Sequence, residues 1–188
     1  MQQGDTISAI ATPQGEGGIG VIRISGEHAL KTAGKVFRAK NGKPLVMAGS
    51  HRAVYGHIVD EAGKVIDEAL ALVMIAPHSY TVEDVVELQC HGGLMTLRKT
   101  LELTWKAGAR PAERGEFTKR AFLNGRLDLS EAQAVMDIIQ ARTETSLTMA
   151  AGHLTGHFSK EIQAMRHDIL GMIAHIEAAI DFPEDEVD

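Results

Sequence analysis

Hydrophobic and polar residues follow two different periods along this chain, and the period changes near residue 128. Before it, short stretches alternate with a period of two, which is typical of half-buried strands, and others repeat every three or four positions, as on one face of a helix. After it, only the helical period remains, in an apolar stripe from Val135 to Ile180. The pattern predicts an α+β domain followed by an all-helical region.

The first part of the chain contains five strand-like and three helix-like segments. Glycine, proline and asparagine bound most of them, and these residues favour turns. The predicted strands are 5–12, 21–25, 52–60, 64–76 and 84–93, and the predicted helices are 30–37, 94–108 and 115–125.

The helical region starts with a capping-box pattern, Ser130 with Gln133. One uninterrupted helix over this region would be about 75 Å long at ~1.5 Å per residue, so we predict a break near 143–146 or 152–156. The apolar stripe has no partner of equal length, and the terminal DFPEDEVD resembles a helix start with Asp181 as N-cap. We therefore expect the chain to be part of a longer protein.

A glycine-rich stretch, TPQGEGGIGVIRISG, contains the connection between the first two predicted strands and the second of these strands. Gly15, Gly17 and Gly20 have the G-x-G-x-x-G spacing of a dinucleotide-binding loop. Such a loop binds pyrophosphate where it joins a strand to the N-terminus of a helix, but here strand-like residues follow. The pattern favours a hairpin connection, or a loop that lets the backbone approach a flat ligand, over a dinucleotide site.

Composition narrows the classes of function. The chain has 188 residues with 19 basic and 25 acidic side chains, and its net charge of −6 argues against a nucleic-acid binder that uses its whole surface. The segment 98–126 is locally basic, which fits a solvated face or an anion-binding patch. A single cysteine excludes an internal disulfide framework, and no signal peptide or membrane span is apparent, so we expect a cytoplasmic protein.

Cys90 and His91 are adjacent, which suggests a nucleophile and a base. On a strand, however, neighbouring side chains point to opposite faces, so the two would not form a dyad. Cys90 falls on the apolar side and is predicted to be an inert core thiol. Glu87, Gln89 and His91 share the other side, where they form either a ligand-binding wall or a solvent-facing surface.

Arg23 lies in the middle of a strand among apolar neighbours, where it needs a carboxylate, an anionic ligand or a solvated face. His153 and His157 have the i, i+4 spacing of a helical metal-ligand pair, but no third ligand is apparent and we predict no metal site. The sequence also contains no G-x-S-x-G elbow and no P-loop motif.

Four segments together resemble a known family. In order along the chain they are DTISAIATPQGEGGIGVIRISG, PHSYTVEDVVELQCHGG, ARPAERGEFTKRAFLNGRLDLSEAQAVMDII and EAAIDFPEDE. They are similar to the N-terminal part of the bacterial tRNA modification GTPases of the MnmE (TrmE) family. The resemblance implies a tetrahydrofolate-binding and dimerisation domain over 1–118, with a mixed sheet like that of aminomethyltransferase-type folate domains. The first segment of an incomplete helical domain, which a Ras-like G domain interrupts, would follow over 119–188.

The resemblance also implies a function. With its partner MnmG, the family adds an aminomethyl or carboxymethylaminomethyl group to C5 of the wobble uridine of tRNA. The one-carbon unit is supplied by a tetrahydrofolate derivative, such as 5-formyl- or methylene-tetrahydrofolate. The family acts as a homodimer. GTP, Mg²⁺ and K⁺ belong to its G domain, so this chain is not expected to hydrolyse GTP, and Cys90 does not correspond to the family's C-terminal cysteine.

By the same resemblance, Arg23 in VIRISG, Glu87 in VVELQ and Arg126 in NGRLDL fall on folate-contacting positions, and no catalytic or metal-binding residue is implied. A carboxylate can accept hydrogen bonds from the pterin N–H groups, and arginines can bind carboxylates or carbonyl oxygens. Three positions depart from the family pattern: Glu16 replaces a common basic residue, Val82 a common glycine and Arg126 a frequent lysine.

Two other functions remain open at this point. One is a structural dimerisation scaffold that has lost folate binding. The other is an autonomous one-carbon transferase, for which the sequence offers no identified nucleophile.

Overall fold

A computed structural model describes residues 4–13 and 15–181 of the chain. Their β-structure consists of the strands β1 Ile7–Ile10, β2 Gly17–Ser25, β3 Phe37–Ala39, β4 Arg52–Val59, β5 Val65–Met74, β6 Val85–Gly92 and β7 Arg110–Pro111. These form one sheet in the order β3-β4-β5-β6-β2-β1-β7. All neighbouring strands are antiparallel except β1 and β7, so the sheet is mixed, as predicted.

The helices are α1 Ala29–Val36, α2 Leu94–Lys106, α3 Glu116–Leu123, α4 Leu129–Gln140, α5 Glu144–Leu154 and α6 His157–Asp181. The described residues contain no helix with both the length and the apolar character that crossing a bilayer requires.

The main core lies between one face of the sheet and helices α1 and α2. Alternate strand residues such as Ile22, Ile24 and Leu88 point to this face and are fully buried, and they pack with Ala33 of α1 and Leu97 of α2. Each fully buried aliphatic side chain contributes about 1.5–3 kcal/mol relative to an exposed one. Because strand residues alternate in direction, Arg23 and Glu87 are placed on the opposite face.

An ion-pair cluster joins the beginning of the sheet to helix α3. Arg120 contacts Asp5, Glu83 and Glu116, and Arg110 contacts Asp5 and Glu116. The Glu116 side chain is completely buried, so these contacts compensate a charge that water does not reach. We call these five residues the ion-pair cluster.

The strands and helices predicted in the first part of the chain are all present, and β3 and β7 are additional. The helical region is interrupted at both predicted places, between α4 and α5 and between α5 and α6. The predicted capping box was wrong in register: the N-cap of α4 is Asp128, which pairs with Glu131, rather than Ser130 with Gln133.

Contacts divide the chain into one compact unit up to Arg126 and a second from Leu127. The boundary between the folate-binding domain and the helical domain, expected between residues 118 and 119, stays a prediction. The predicted helix start after Asp181 lies outside the described residues, and Asp181 itself is the last residue of α6.

Candidate ligand-binding site

Arg23 and Glu87 form an ion pair on the sheet face opposite to α1 and α2. They are direct partners in the register of β2 and β6. Nε and Nη2 of Arg23 each lie 2.8 Å from Oε1 of Glu87. The side chains are 25% and 15% exposed, so the pair is half-buried and remains partly open to solvent. The partner of Arg23 is therefore a carboxylate, one of the three possibilities that the sequence left open. Like Arg23 itself, Glu87 is a residue that the resemblance assigns to folate binding.

Two aromatic rings complete this site. The Cζ atom of Arg23 lies 5.1 Å from the ring centroid of Tyr80 and 5.5 Å from that of Phe117. Cζ of Arg126 lies 4.8 Å from the same Tyr80 ring. These distances are within the range of cation–π attraction. The structure thus brings Arg23, Glu87 and Arg126 together around Tyr80.

Tyr80 is held by the connection between β5 and β6. Its hydroxyl lies 2.9 Å from Oγ1 of Thr118 on α3. The following residue, Thr81, is 2.6 Å from Ser25 at the end of β2, measured between the two hydroxyl oxygens. Because Thr118 belongs to α3 and Ser25 belongs to β2, these two hydrogen bonds fix the ring relative to the helix and to the sheet.

Arg126 is positioned by the end of α3. Gly125 has a φ of 76°, a left-handed conformation that glycine adopts without strain, and the Arg126 amide then donates to the carbonyl of Ala121. Asn124 donates its side-chain amide to the Thr81 carbonyl at 2.6 Å, which ties this turn to the Tyr80 segment. The turn accounts for the placement of a residue that lies 103 positions from Arg23 in the sequence.

Part of the hydrogen-bonding capacity of the site is free. Within residues 4–13 and 15–181, Oε2 of Glu87 accepts no hydrogen bond, and the guanidinium of Arg126 makes none. A carboxylate offers about four acceptor positions, and Arg23 occupies only those of Oε1. The site therefore presents an acceptor for N–H donors next to an uncompensated cation.

Cys90 and His91 lie on opposite faces of β6, as predicted. Cys90 is 2% exposed in the core, and burial raises the pKa of its thiol to about 12. It is therefore not a nucleophile near neutral pH. His91 is exposed, and its Nδ1 lies 2.6 Å from Oδ1 of Asp67, whose hydrogen bond raises the His91 pKa.

The alternative sites suggested by the sequence are not formed. Gly15 lies in the connection between the antiparallel strands β1 and β2, and Gly17 and Gly20 belong to β2, so the glycine stretch does not open a helix. His153 and His157 belong to different helices, with Gly156 in the turn between them. Among the described residues there is no group of three or more metal-ligating side chains.

The locally basic segment 98–126 is only partly an exposed cationic surface. Arg110 and Arg120 are inside the ion-pair cluster, and Arg98 pairs with Glu102 on α2. Arg126, at the end of the segment, is the member that faces the site around Tyr80.

Two family descriptions match this chain. "GTP-binding protein TrmE N-terminus" matches residues 6–126, which include every residue of the site, and "MnmE helical domain" matches residues 129–188. The chain belongs to the MnmE (TrmE) family. The resemblance inferred from the four sequence segments is thereby confirmed.

Individual MnmE relatives align over nearly the whole chain. The tRNA modification GTPase MnmE of Symbiobacterium thermophilum is 56% identical over 98% of this chain, and that of Carboxydothermus hydrogenoformans is 54% identical over 98%. The MnmE of Alkaliphilus oremlandii is 51% identical over 98%. The chain spans 40% of the length of each of these relatives, so it represents the N-terminal module of MnmE.

Proposed function

We propose that this chain is the folate-binding, homodimerising N-terminal module of a tRNA-modifying GTPase. It binds a tetrahydrofolate derivative, such as 5-formyl- or methylene-tetrahydrofolate, through Arg23, Glu87 and Arg126. The observation that supports this most directly is that these three residues, distant in sequence, lie around one ring, that of Tyr80.

The chemistry of the site suits a reduced pterin. Oε2 of Glu87 accepts from the ring N–H and amino groups, while Arg23, held by Oε1, donates to a ring carbonyl oxygen. Phe117 and Tyr80 provide apolar surface beside this polar pair. The folate carries the one-carbon unit, and the residues of this chain bind and orient it.

In the full-length protein, this module presents the carrier to the modification reaction. Together with MnmG, the protein adds an aminomethyl or carboxymethylaminomethyl group to C5 of the wobble uridine of tRNA in the cytoplasm. GTP hydrolysis, with Mg²⁺ and K⁺, is assigned to the G domain of the whole protein and not to this chain. We also propose that the fold of the folate-binding domain resembles that of aminomethyltransferase-type folate domains.

Calorimetric titration of the 188-residue chain with 5-formyltetrahydrofolate tests this function. We expect saturable binding, and a loss of at least about tenfold in Glu87→Ala, because a hydrogen bond to a charged group is worth about 1.5–3 kcal/mol. Glu102→Ala is the matched control, since Glu102 pairs with Arg98 on α2. Circular dichroism verifies the fold of each variant, and light scattering coupled to size exclusion is expected to give a dimer mass.

Absence of folate binding by a folded dimer would contradict the ligand part of the proposal and leave a dimerisation scaffold. Binding by a monomer would contradict the dimerisation part. Equal losses in Glu87→Ala and Glu102→Ala would place the ligand elsewhere.

A further inference from the structure

The outer faces of α1 and α2 form a cationic surface on a chain that is acidic as a whole. The exposed cations of these two helices are Lys31, Lys35, Arg98, Lys99 and Lys106. Their only carboxylate is Glu102, so five cations against one carboxylate give the two helices a net charge of +4. The rest of the chain must then carry −10 to reach the total of −6. We call these outer faces the α1–α2 surface.

The two helices present one continuous surface on the layer that covers the sheet. Leu97 and Leu103 of α2 are buried against the core. At 3.6 residues per turn, one arc of about 120° contains the exposed positions of this helix from its second residue onward, namely Met95, Arg98, Lys99, Glu102, Trp105 and Lys106. Nζ of Lys35 donates to the carbonyl of Ala107 at 2.8 Å, which joins the end of α1 to the end of α2.

Helix stability accounts for only two of the five cations. Lys35 and Lys106 lie in the last turns of their helices, where the helix dipole favours positive charge. Lys31 lies in the first turn of α1, where the dipole disfavours it, and Arg98 and Lys99 lie in the N-terminal half of α2. Neither helix has an acidic residue in its first turn. These three cations therefore need another explanation.

The contacts of these cations within the chain leave most of their charge available. Nε of Arg98 lies 3.1 Å from Oε1 of Glu102, and the Arg98 side chain is 72% exposed. Nζ of Lys106 lies 3.8 Å from Oε2 of Glu61, too far for a hydrogen bond. No ion pair with a residue of 4–13 or 15–181 is formed by the other three cations, Lys31, Lys35 and Lys99. The surface can therefore bind an external anion without breaking a buried contact.

The composition of the surface favours a phosphate backbone over an acidic protein. Four of the five cations are lysines, which are depleted in protein–protein interfaces and contact phosphates as point charges. The exposed apolar residues Leu94 and Met95 lie at one end of α2 and Trp105 at the other, so they do not form the apolar centre of a protein interface. Trp105 is 37% exposed, and an aromatic ring beside cations suits a nucleic-acid strand, whose bases stack on such rings.

We infer that the α1–α2 surface binds the sugar–phosphate backbone of tRNA, with Lys31, Arg98 and Lys99 contacting phosphates and Trp105 lying beside the bound strand. The inference rests on the proposed function in one respect, because that proposal supplies tRNA as the substrate of the whole protein. The surface lies on the side of the sheet opposite to Arg23 and Glu87. Folate and tRNA are therefore expected to bind the chain independently.

Trp105 is the only tryptophan of the chain, so its fluorescence reports on this surface. We expect tRNA to protect Trp105 of the 188-residue chain from quenching by acrylamide, and this protection to fade between about 50 and 200 mM KCl. The combined variant Lys31→Gln, Arg98→Gln and Lys99→Gln should weaken tRNA binding at least about tenfold. It should also lower the slope of log affinity against log salt concentration by about 2–3, because each phosphate contact contributes about one.

A matched variant removes the same charge from exposed positions of the first unit outside both helices. It combines Lys43→Gln, Arg114→Gln and Lys119→Gln, and it should change the slope by less than about one. Equal losses in the two variants would mean that net charge alone attracts tRNA, and the surface would be refuted. Circular dichroism verifies both folds, and the α1–α2 variant should bind 5-formyltetrahydrofolate as the wild type does.

The remaining outcomes separate the inference from the proposed function. Absence of tRNA binding at about 50 mM KCl, or binding that leaves Trp105 open to acrylamide, overturns the inference while folate binding still stands. Protection of Trp105 by poly-L-glutamate as strong as that by tRNA would identify an acidic protein as the partner and overturn it as well. If the wild type protects Trp105 with tRNA but does not bind 5-formyltetrahydrofolate, the surface stands and the folate part of the proposed function fails.

Discussion

Arg23 and Glu87 are cross-strand partners, and both contacts of the Arg23 guanidinium end on the same oxygen, Oε1 of Glu87. A bidentate pair would use both carboxylate oxygens and consume the binding capacity of Glu87. The observed geometry compensates the arginine and keeps Oε2 available to a ligand. The ion pair therefore leaves one carboxylate oxygen of Glu87 without a hydrogen bond from any residue that the structure describes.

Replacing Glu87 by glutamine separates its contribution to ligand binding from its contribution to stability. We expect Glu87→Gln to lower the affinity for 5-formyltetrahydrofolate about tenfold or more, because the acceptor loses its charge. The free energy of unfolding should fall by less than about 1 kcal/mol, since the pair is partly exposed to water. Calorimetry and urea unfolding measure the two effects. Glu68→Gln is the control, because Glu68 is an exposed residue of neighbouring strand β5; similar binding losses in both variants would contradict the assignment.

The ion-pair cluster is expected to determine the stability of the first unit. Glu116→Gln removes the fully buried carboxylate of the cluster, while Arg110 and Arg120 keep Asp5 and Arg120 also keeps Glu83, so we expect a loss of about 1.5–3 kcal/mol, as for a hydrogen bond to a charged group. Urea unfolding measures the loss. Glu102→Gln, which removes an exposed pair on α2, should cost less than about 1 kcal/mol. A similar small loss in both variants would show that the cluster does not stabilise the fold.

The same cluster predicts how stability depends on pH. Hydrogen bonds from Arg110 are the main cause that lowers the pKa of Glu116 from 4.5 to about 2. Because the folded-state pKa is the lower one, the stabilisation is complete above pH 4.5 and is lost as the pH falls toward 2. Urea unfolding from pH 7 to 2.5 should show the decline in the wild type, and Glu116→Gln should show a shallower one. Parallel curves would refute this origin of the acid sensitivity.

The sequence predicted the longer elements because each repeats its period several times. β4, β5 and β6 contain eight to ten residues each, enough for alternation to be recognised. β3 and β7 contain three and two residues, which is too few to define a period. They are recognised only in the folded chain, where β3 pairs with β4 and β7 pairs with β1. At the start of α4, two overlapping capping patterns compete, and only the folded chain shows that Asp128 is the cap.

The site was predictable only in part. Arg23 is visible as a charge within an apolar strand, but its partner depends on β2 and β6 being neighbours, which periodicity does not determine. Tyr80 lies in the connection between β5 and β6 and Phe117 lies on α3, so no local sequence pattern predicts that both rings contact Arg23. Their location in PHSYT and GEFTKR, within segments that resemble the family, was the available signal.

The buried thiol gives a test of the core. Cys90 is 2% exposed and its pKa is raised to about 12 by burial, so the native chain should resist alkylation by iodoacetamide at pH 8. Labelling should become rapid in 6 M urea, where the thiol has its ordinary pKa. Mass spectrometry follows both reactions, with glutathione as the reference thiol. Native labelling at the rate of glutathione would contradict the placement of Cys90 in the core.

Val82 is in a backbone conformation that does not suit its side chain. Its φ is 65°, in the left-handed region, which is unfavourable for a β-branched residue. By the resemblance, glycine is expected at this position, and the expected departure therefore coincides with a left-handed backbone conformation. Such strain costs about 1–3 kcal/mol, whereas glycine gives back about 0.5–1 kcal/mol through its greater freedom in the unfolded chain. We expect Val82→Gly to raise the free energy of unfolding by about 1 kcal/mol.

Urea unfolding of three variants checks the cause. Val82→Ala keeps the Cβ atom that strains the backbone, so its stability should stay within about 0.5 kcal/mol of the wild type. Val54→Gly introduces glycine at a half-buried valine of strand β4 and should destabilise the chain, because no left-handed conformation is relieved there. If Val82→Gly destabilises as much as Val54→Gly, the packing of the Val82 side chain outweighs its backbone strain. Contacts of the Val82 side chain, which lines the same open cavity as Tyr80 and Arg126, would then maintain the strained backbone conformation.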